Sequence, residues 1–189
     1  MIDNNTSGLH FAFAAGTGAL VYVDLVAKLL LQSVGAFPPE NCMNPGFKFV
    51  LFASFDSRQG AIALELLEGF RDLQKSMGLN SFDLELRFSD QKTKRWDKDF
   101  IIERLKHHLD LYTKSGQADG INVSNISKSY DNSRSASAFR EDEKRITSDS
   151  KIKRIWVCGP PVMEETYDKF MPEVAEKFNL DYRTVVDIM

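Results

Sequence analysis

The chain has 189 residues, 43% of them hydrophobic, with 24 basic and 27 acidic residues and a formal net charge of -3. A chain of this size can bury the core of one globular domain without disulfides or structural metals, and its two cysteines are too few for a disulfide framework. The near balance of charges argues against a general nucleic-acid-binding protein, and no apolar run reaches the roughly 20 residues that a membrane helix needs.

Short apolar runs alternate with amphipathic segments along the chain. The predicted strands are residues 10–15, 47–54, 82–88, 152–158 and 182–188. The predicted helices are residues 19–32, 61–77, 99–112 and 162–178. Short, mostly apolar strands that alternate with helices are typical of a parallel sheet covered on both faces. The sequence therefore predicts a doubly wound α/β domain with a mostly parallel sheet of about five strands.

Residues 115–150 interrupt this alternation. The segment is rich in serine, mixes acidic with basic groups and has no lasting periodicity, which predicts a flexible, disordered insertion within a single domain spanning residues 1–189. It has two interpretations, a solvated loop without a role and a regulatory or docking segment.

A glycine-rich turn follows the first predicted strand. Gly16, Thr17 and Gly18 open the first predicted helix, where glycines let a ligand approach the backbone and a helix N-terminus favours phosphate. Val21 stands where the dinucleotide fingerprint has its third glycine, so a purely structural turn is an equal alternative.

A Cys-Gly-Pro-Pro sequence follows the fourth predicted strand. Cys158 and Gly159 then lie at the carboxyl edge of the sheet, where open α/β sheets bind ligands. Gly159 permits close approach, and Pro161 can occupy the first position of a helix. For Cys158, contact with a ligand and inert packing are both open.

Asp90 follows the third predicted strand at the same edge. A carboxylate there could accept hydrogen bonds from ribose hydroxyls and repel a 2′-phosphate, and a turn-forming Asp is the alternative. Lys92, Lys94 and Arg95 come next and could attract phosphates or form a solvated basic loop. The three histidines have no metal-ligand spacing, so we predict no metal site.

Three blocks together resemble the pyridine-nucleotide-binding half of the ferredoxin–NADP reductase superfamily, above all cytochrome b5 reductase, nitrate reductase and the ferric reductases. FAFAAGTGALVYVDLVAKLL is similar to the family's strand–GGTG–helix block. LELRFSDQKTKRW looks like the segment in which an Asp and, six residues later, a Trp follow the third strand, here Asp90 and Trp96. RIWVCGPPVMEETYDKFM is similar to the Cys-Gly-Pro-Pro-x-Met block. The resemblance extends over residues 9–110 and 151–189.

The resemblance implies a role for each matching residue. Cys158 would be the residue at the point of hydride transfer, beside C4 of the nicotinamide, and Asp90 would favour NADH over NADPH. The residues implied in cofactor binding are Gly16, Thr17, Gly18, Ala19, Ser54, Asp90, Gly159, Pro160, Pro161 and Met163. Among these, the first three would hold the pyrophosphate, Ser54 would lie near the adenosine ribose, and the last three would shape the nicotinamide pocket.

The implied reaction is that of an electron-transfer oxidoreductase. NADH, with NADPH as the other candidate, would pass hydride to an FAD held by a flavin-binding domain of the same parent chain or of another subunit. Nothing before Leu9 supplies that domain, so we expect a domain that is inactive alone. We expect it in the cytoplasm, including as the cytosolic domain of a membrane protein.

Two other interpretations remain. Ala15 replaces the family's first glycine and Leu20-Val21 its Thr-Pro, which suits a degenerate domain that serves as a structural or interaction module. A free-standing NAD(P)-binding enzyme of another α/β class would need a substrate-binding segment, and none is evident.

Overall fold

In the computed structural model, the described residues (6–38, 41–91, 96–118 and 150–189) form a five-stranded sheet with the order β3-β2-β1-β4-β5. The strands are β1 Gly8–Ala15, β2 Phe47–Phe55, β3 Phe82–Phe88, β4 Ile152–Cys158 and β5 Val186–Ile188. The helices are α1 Val23–Ser33, α2 Leu64–Ser76, α3 Lys98–Ala118, α4 Pro161–Lys177 and the single turn α5 Tyr182–Val185. Every neighbouring pair of strands is parallel, so the predicted doubly wound α/β fold is confirmed.

Strand β1 occupies the centre of the sheet because both of its faces are apolar. Phe11 and Phe13 point to one face and are fully buried, whereas Ala12 and Ala14 point to the other. The small alanines leave room for close packing on their side, and the two phenylalanines fill the opposite layer.

Two separate cores cover the sheet. Helices α1 and α2 pack on one face with β2 side chains such as Leu51, and α3 and α4 pack on the other with Phe52. Because strands β1 and β4 connect to their helices on opposite faces, the carboxyl ends of these two strands are left with a crevice between them, as in other doubly wound sheets.

Two predicted elements differ from the structure. The chain does not enter a helix at residue 19; Gly16–Tyr22 forms a 3-10 turn, and α1 begins only at Val23. The final strand is limited to Val186–Ile188, because the carboxylate of Asp181 accepts a hydrogen bond from the Arg183 N–H (3.1 Å) and caps the short helix α5.

The predicted insertion begins later than residue 115, because α3 continues to Ala118. The rest of the insertion up to residue 149, and the basic group Lys92, Lys94 and Arg95, lie outside the described residues. Among the helices of the described ranges, none is both long and apolar enough to cross a membrane.

Candidate functional site

A cleft of about 760 Å³ lies at the carboxyl edge of the sheet, where the chain leaves β1 and β4 toward opposite faces. Its wall is formed by the turn after β1, the ends of β2 and β3, and the start of α4. The lining residues that the sequence predicted are Gly16, Thr17, Gly18, Ser54, Cys158, Gly159, Pro160 and Met163. The structure thus brings together eight predicted residues from three separate parts of the chain.

The turn after β1 depends on two glycines for different reasons. Gly16 has a φ of +55°, a left-handed conformation that glycine adopts without strain, and a side chain added there would meet open space. Gly18 is buried, and a Cβ at this position would collide with the backbone carbonyl of Cys158. The first glycine therefore shapes the turn, and the second lets it pack directly against the end of β4.

The segment after β4 is equally tight. A Cβ added to Gly159 would lie 2.7 Å from the Met163 sulfur and 3.3 Å from the Ala15 Cβ. Pro160 is extended and Pro161 takes the first position of α4, as predicted, while the Met163 N–H bonds the Pro160 carbonyl at 2.8 Å. The Met163 and Ala15 side chains occupy the space that a side chain at position 159 would need, so Gly159 contributes only backbone to the lining of the cleft.

Cys158 lines this cleft, and its half-buried side chain also packs against the α1–α2 core. Burial raises its pKa, and the negative charge of Glu164 raises it further. The group is therefore a neutral thiol near pH 7, which suits contact with a ligand better than nucleophilic attack.

A positively charged side chain, that of Arg87, lies at the end of the cleft opposite Cys158. The Arg87 guanidinium, from the end of β3, donates a hydrogen bond to the Ser54 hydroxyl at 3.2 Å. Arg87 was not among the predicted site residues. It extends from the same face of β3 as Asp83 and Glu85, as the alternation of FDLELRF indicates, but its place beside Ser54 depends on the order of the strands in the sheet.

Aromatic side chains form the wall on the α3–α4 face. Phe13 packs against Trp96, with ring centroids 6.3 Å apart, and against Tyr167 at 5.5 Å. The Tyr167 hydroxyl is buried and has no hydrogen-bond partner among the residues that the structure describes. Burial raises the pKa of Tyr167, although Arg87 opposes that shift, so the hydroxyl remains a proton donor.

Three predicted residues lie outside the lining. Ala19 is fully buried in the α1–α2 core, and Pro161 is exposed at the start of α4. Asp90 is exposed on the turn Ser89–Gln91, where its N–H bonds the Asp56 carbonyl at 3.1 Å. Its neighbour Ser89 does line the cleft, so Asp90 borders the site without forming its wall.

The arrangement suits an elongated, anionic ligand with ring systems. It offers open backbone at Gly16, a cation and a hydroxyl at the β2–β3 end, and a neutral thiol at the β4 end. Its volume falls in the usual range for small-molecule sites, which is about 300–1,000 Å³.

No protein-family model matches the sequence, and no curated protein matches it either. Solved structures do. A mutant ferredoxin-NADP+ reductase from Plasmodium falciparum in complex with 2'P-AMP is 16% identical, with a TM-score of 0.49, and the match covers 98% of this chain and 52% of that one. The cytochrome b5 reductase domain of Ulva prolifera nitrate reductase is 12% identical (TM-score 0.49), with 98% and 49% covered.

A flavohemoglobin from Malassezia yamatoensis with bound FAD and heme is 14% identical, with a TM-score of 0.46, and the match covers 100% of this chain and 33% of that one. The chain thus spans about half the length of the two reductase structures and about a third of the flavohemoglobin. At these identities and TM-scores the function has to be argued from the residues of the cleft.

Proposed function

We propose that this chain is the nucleotide-binding domain of an NAD(P)H-dependent flavin oxidoreductase. It binds NADH or NADPH in the cleft and presents the nicotinamide to an FAD held by a separate flavin domain, in the same parent chain or in another subunit. Bound NAD(P)H supplies the hydride, and the flavin accepts it.

The observation that carries the proposal is the contact between the Gly16–Gly18 turn and the end of β4. Two glycine-containing segments, far apart in sequence, meet at the same cleft because Gly18 has no side chain to collide with Cys158. Each segment resembles a nucleotide-binding block on its sequence alone, so their contact at one cleft is an independent observation.

The chemistry of the cleft supports a dinucleotide as the ligand. Gly16 and Thr17 are exposed and leave backbone N–H groups accessible to a pyrophosphate. Arg87 places a positive charge at the other end, where an adenosine ribose or its phosphate would lie. The cleft is open, as a working site requires, whereas a degenerate module would be expected to fill it with side chains.

The residues at the β4 end would orient the ring and not react with it. The neutral Cys158 thiol is a soft, compact group that can lie against a nicotinamide face. Gly159 allows the backbone to approach the ring, and Met163 closes the pocket behind it. In this proposal the domain contributes position, and the two cofactors contribute the redox chemistry.

Calorimetric titration of the whole chain with NADH and with NADPH tests the proposal. We expect saturable binding of at least one of them in the micromolar to millimolar range, weakened by Gly18→Val and unchanged by Gly69→Ala, a glycine on the exposed side of α2 with open space around it. Absence of binding of both nucleotides at millimolar concentration would refute it.

A further inference from the structure

A second cavity of about 430 Å³ lies on the other side of the Gly16–Tyr22 turn. It opens over β4 and β5 on the face where α1 packs, and it shares Val21 with the nucleotide cleft. Its lining residues are Thr6, His10, Val21, Tyr22, Leu25, Lys153, Arg154, Trp156, Asp187 and Met189. We refer to this group of residues as the aromatic cavity.

Two buried polar side chains line the aromatic cavity. His10 and Tyr22 are 2% and 3% exposed. Within the described residues the Tyr22 hydroxyl has no hydrogen-bond partner, and the His10 ring is bonded only by the Thr6 backbone. Buried polar groups are almost always paired, so the unpaired atoms around this cavity call for an explanation. A ligand with a polar edge would pair the Tyr22 hydroxyl and the second ring nitrogen of His10.

Both groups are neutral at physiological pH. Burial lowers the pKa of His10 to about 4; a hydrogen bond with the Thr6 backbone opposes that shift, and the charges of Arg154 and Lys153 add to it. Burial also raises the pKa of Tyr22, and Cys158 and Asp187 add to that shift. They can therefore donate to or accept from a ligand without any change of charge.

The aromatic side chains that line the cavity favour a ligand with a flat ring. Trp156 lies 5.8 Å from the His10 ring in a stacked arrangement and 6.4 Å from Tyr22 in a tilted one. His10 is itself stacked on Phe47 at 4.1 Å. Among the rings that line the cavity, that of Trp156 is partly exposed, and its indole face favours a planar, aromatic guest over an aliphatic one.

The basic side chains that line the cavity favour an anionic ligand. Lys153, Arg154 and Asp187 line the cavity, and Arg154 pairs with the Asp187 carboxylate at 3.2 Å. Arg154 also donates to the Thr184 carbonyl at 2.7 Å, so it is held in place. Within the described residues Lys153 forms no ion pair, so its ammonium is the group that a ligand carboxylate would meet.

We propose that the aromatic cavity is a second binding site, separate from the nucleotide cleft, and that it takes a small planar aromatic carboxylate. The ring lies against Trp156, the polar edge reaches His10 and Tyr22, and the carboxylate meets Lys153 at the rim.

The two tryptophans of the chain make this testable, because Trp96 lines the nucleotide cleft and Trp156 the aromatic cavity. The whole chain is labelled with 5-fluorotryptophan, and its two fluorine NMR signals are assigned with Trp96→Phe and Trp156→Phe. The probe is 2-naphthoate, and its neutral analogue 2-naphthamide is the control ligand. A ligand of about 13 non-hydrogen atoms is expected to bind with a Kd on the order of 1 mM or lower.

We expect 2-naphthoate to shift the Trp156 signal saturably and to leave the Trp96 signal in place, with 2-naphthamide at least about threefold weaker. Lys153→Gln and Tyr22→Phe should each weaken 2-naphthoate about three- to fivefold. Tyr167→Phe, which removes the matching buried hydroxyl from the other cavity, should have no effect.

An unmoved Trp156 signal at about 10 mM 2-naphthoate would overturn the proposal. Equal binding of the amide, equal shifts at both tryptophans, or unchanged affinity in both Lys153→Gln and Tyr22→Phe would overturn it as well. Loss of nucleotide binding in the calorimetric experiment would leave this site unaffected, so the two proposals fail separately.

Discussion

The backbone of Gly18 packs directly against the carbonyl of Cys158, which joins the turn after β1 to the end of β4. The contact fixes the distance between the two halves of the cleft, so substitutions at these positions should affect stability and ligand binding together.

Gly18→Ala should destabilise the fold more than Gly16→Ala. The first adds a methyl group where backbone atoms of Cys158 already lie, and overpacking of this kind costs about 1–3 kcal/mol. The second meets open space and carries only the strain of a left-handed alanine, about 1 kcal/mol. Urea unfolding of both variants measures the difference, and equal losses would contradict the assigned roles.

Arg87→Gln should weaken binding of both nucleotides about tenfold, because it removes the cation from the cleft. Arg58→Gln is the matched control: Arg58 is an arginine outside the cleft whose exposed ion pair with Glu68 has little bearing on ligands. Calorimetry with NADH and NADPH gives the comparison. Equal effects of the two substitutions would remove Arg87 from the site.

Asp90→Ser should raise the affinity for NADPH relative to NADH by a few-fold. The exposed carboxylate borders the cleft, and its repulsion of a 2′-phosphate through solvent is worth about 1 kcal/mol. The ratio of the two dissociation constants is the measurement, taken at low and at high salt because screening should reduce the effect. A ratio that does not move would show that Asp90 has no part in the choice.

Cys158 should alkylate slowly near pH 7. In a Cys42→Ser background it is the sole thiol, and its iodoacetamide rate should rise with a midpoint above its ordinary pKa of 9.0. Glu164→Gln should lower that midpoint, since it removes the charge that disfavours the thiolate. A reactive thiolate at neutral pH would contradict the positioning role proposed for this residue.

Glu85 should stabilise the domain in a pH-dependent way. Its carboxylate receives hydrogen bonds from the Arg104 guanidinium (2.9 Å from Nε) and from His108, which lies 2.6 Å away. Burial opposes ionisation, but these two partners outweigh it and lower the pKa of Glu85 below its ordinary value of 4.5.

Glu85→Gln should therefore cost about 2 kcal/mol at neutral pH, since it removes the counter-charge of the half-buried Arg104 and the carboxylate partner of the buried His108. A carboxyl whose pKa is lowered by folding stabilises the fold above its unfolded pKa, and that stabilisation is lost as the pH falls through the folded value. The gap between wild type and variant should accordingly close below about pH 4.5. Urea unfolding across this range is the measurement, and a gap that stays constant would contradict the pairing.

The sequence predicted the parts of the fold whose signals are local. The run of residues 10–15 is mostly apolar and ends at Gly16, so its strand character can be read without knowing what surrounds it. The short helix α5 escaped because its capping depends on one side chain, Asp181, within a segment that otherwise reads as a strand. The 3-10 turn was not predicted for a different reason: it depends on the contact of Gly18 with the end of β4, a strand distant in sequence.

The site divides in the same way. Gly16 and Cys158 were found because glycine and a strand-end cysteine are unusual in those positions. Arg87 was missed because a charged residue within an alternating strand looks like an ordinary solvent-facing position. Only the sheet order brings it beside Ser54, and no pattern within the β3 segment contains that information.

The central place of β1 also sets the order in which the domain can be assembled. On one edge β1 pairs with β2, with Gly8 opposite Phe47. On the other edge it pairs with β4, with Leu9 opposite Ile152, which comes much later in the chain. During synthesis, β1 must spend most of its time with one edge unpaired, and such an edge invites pairing with other chains. Expression of a fragment ending before β4 should therefore give insoluble protein, and chaperone dependence is expected until the last strands emerge from the ribosome.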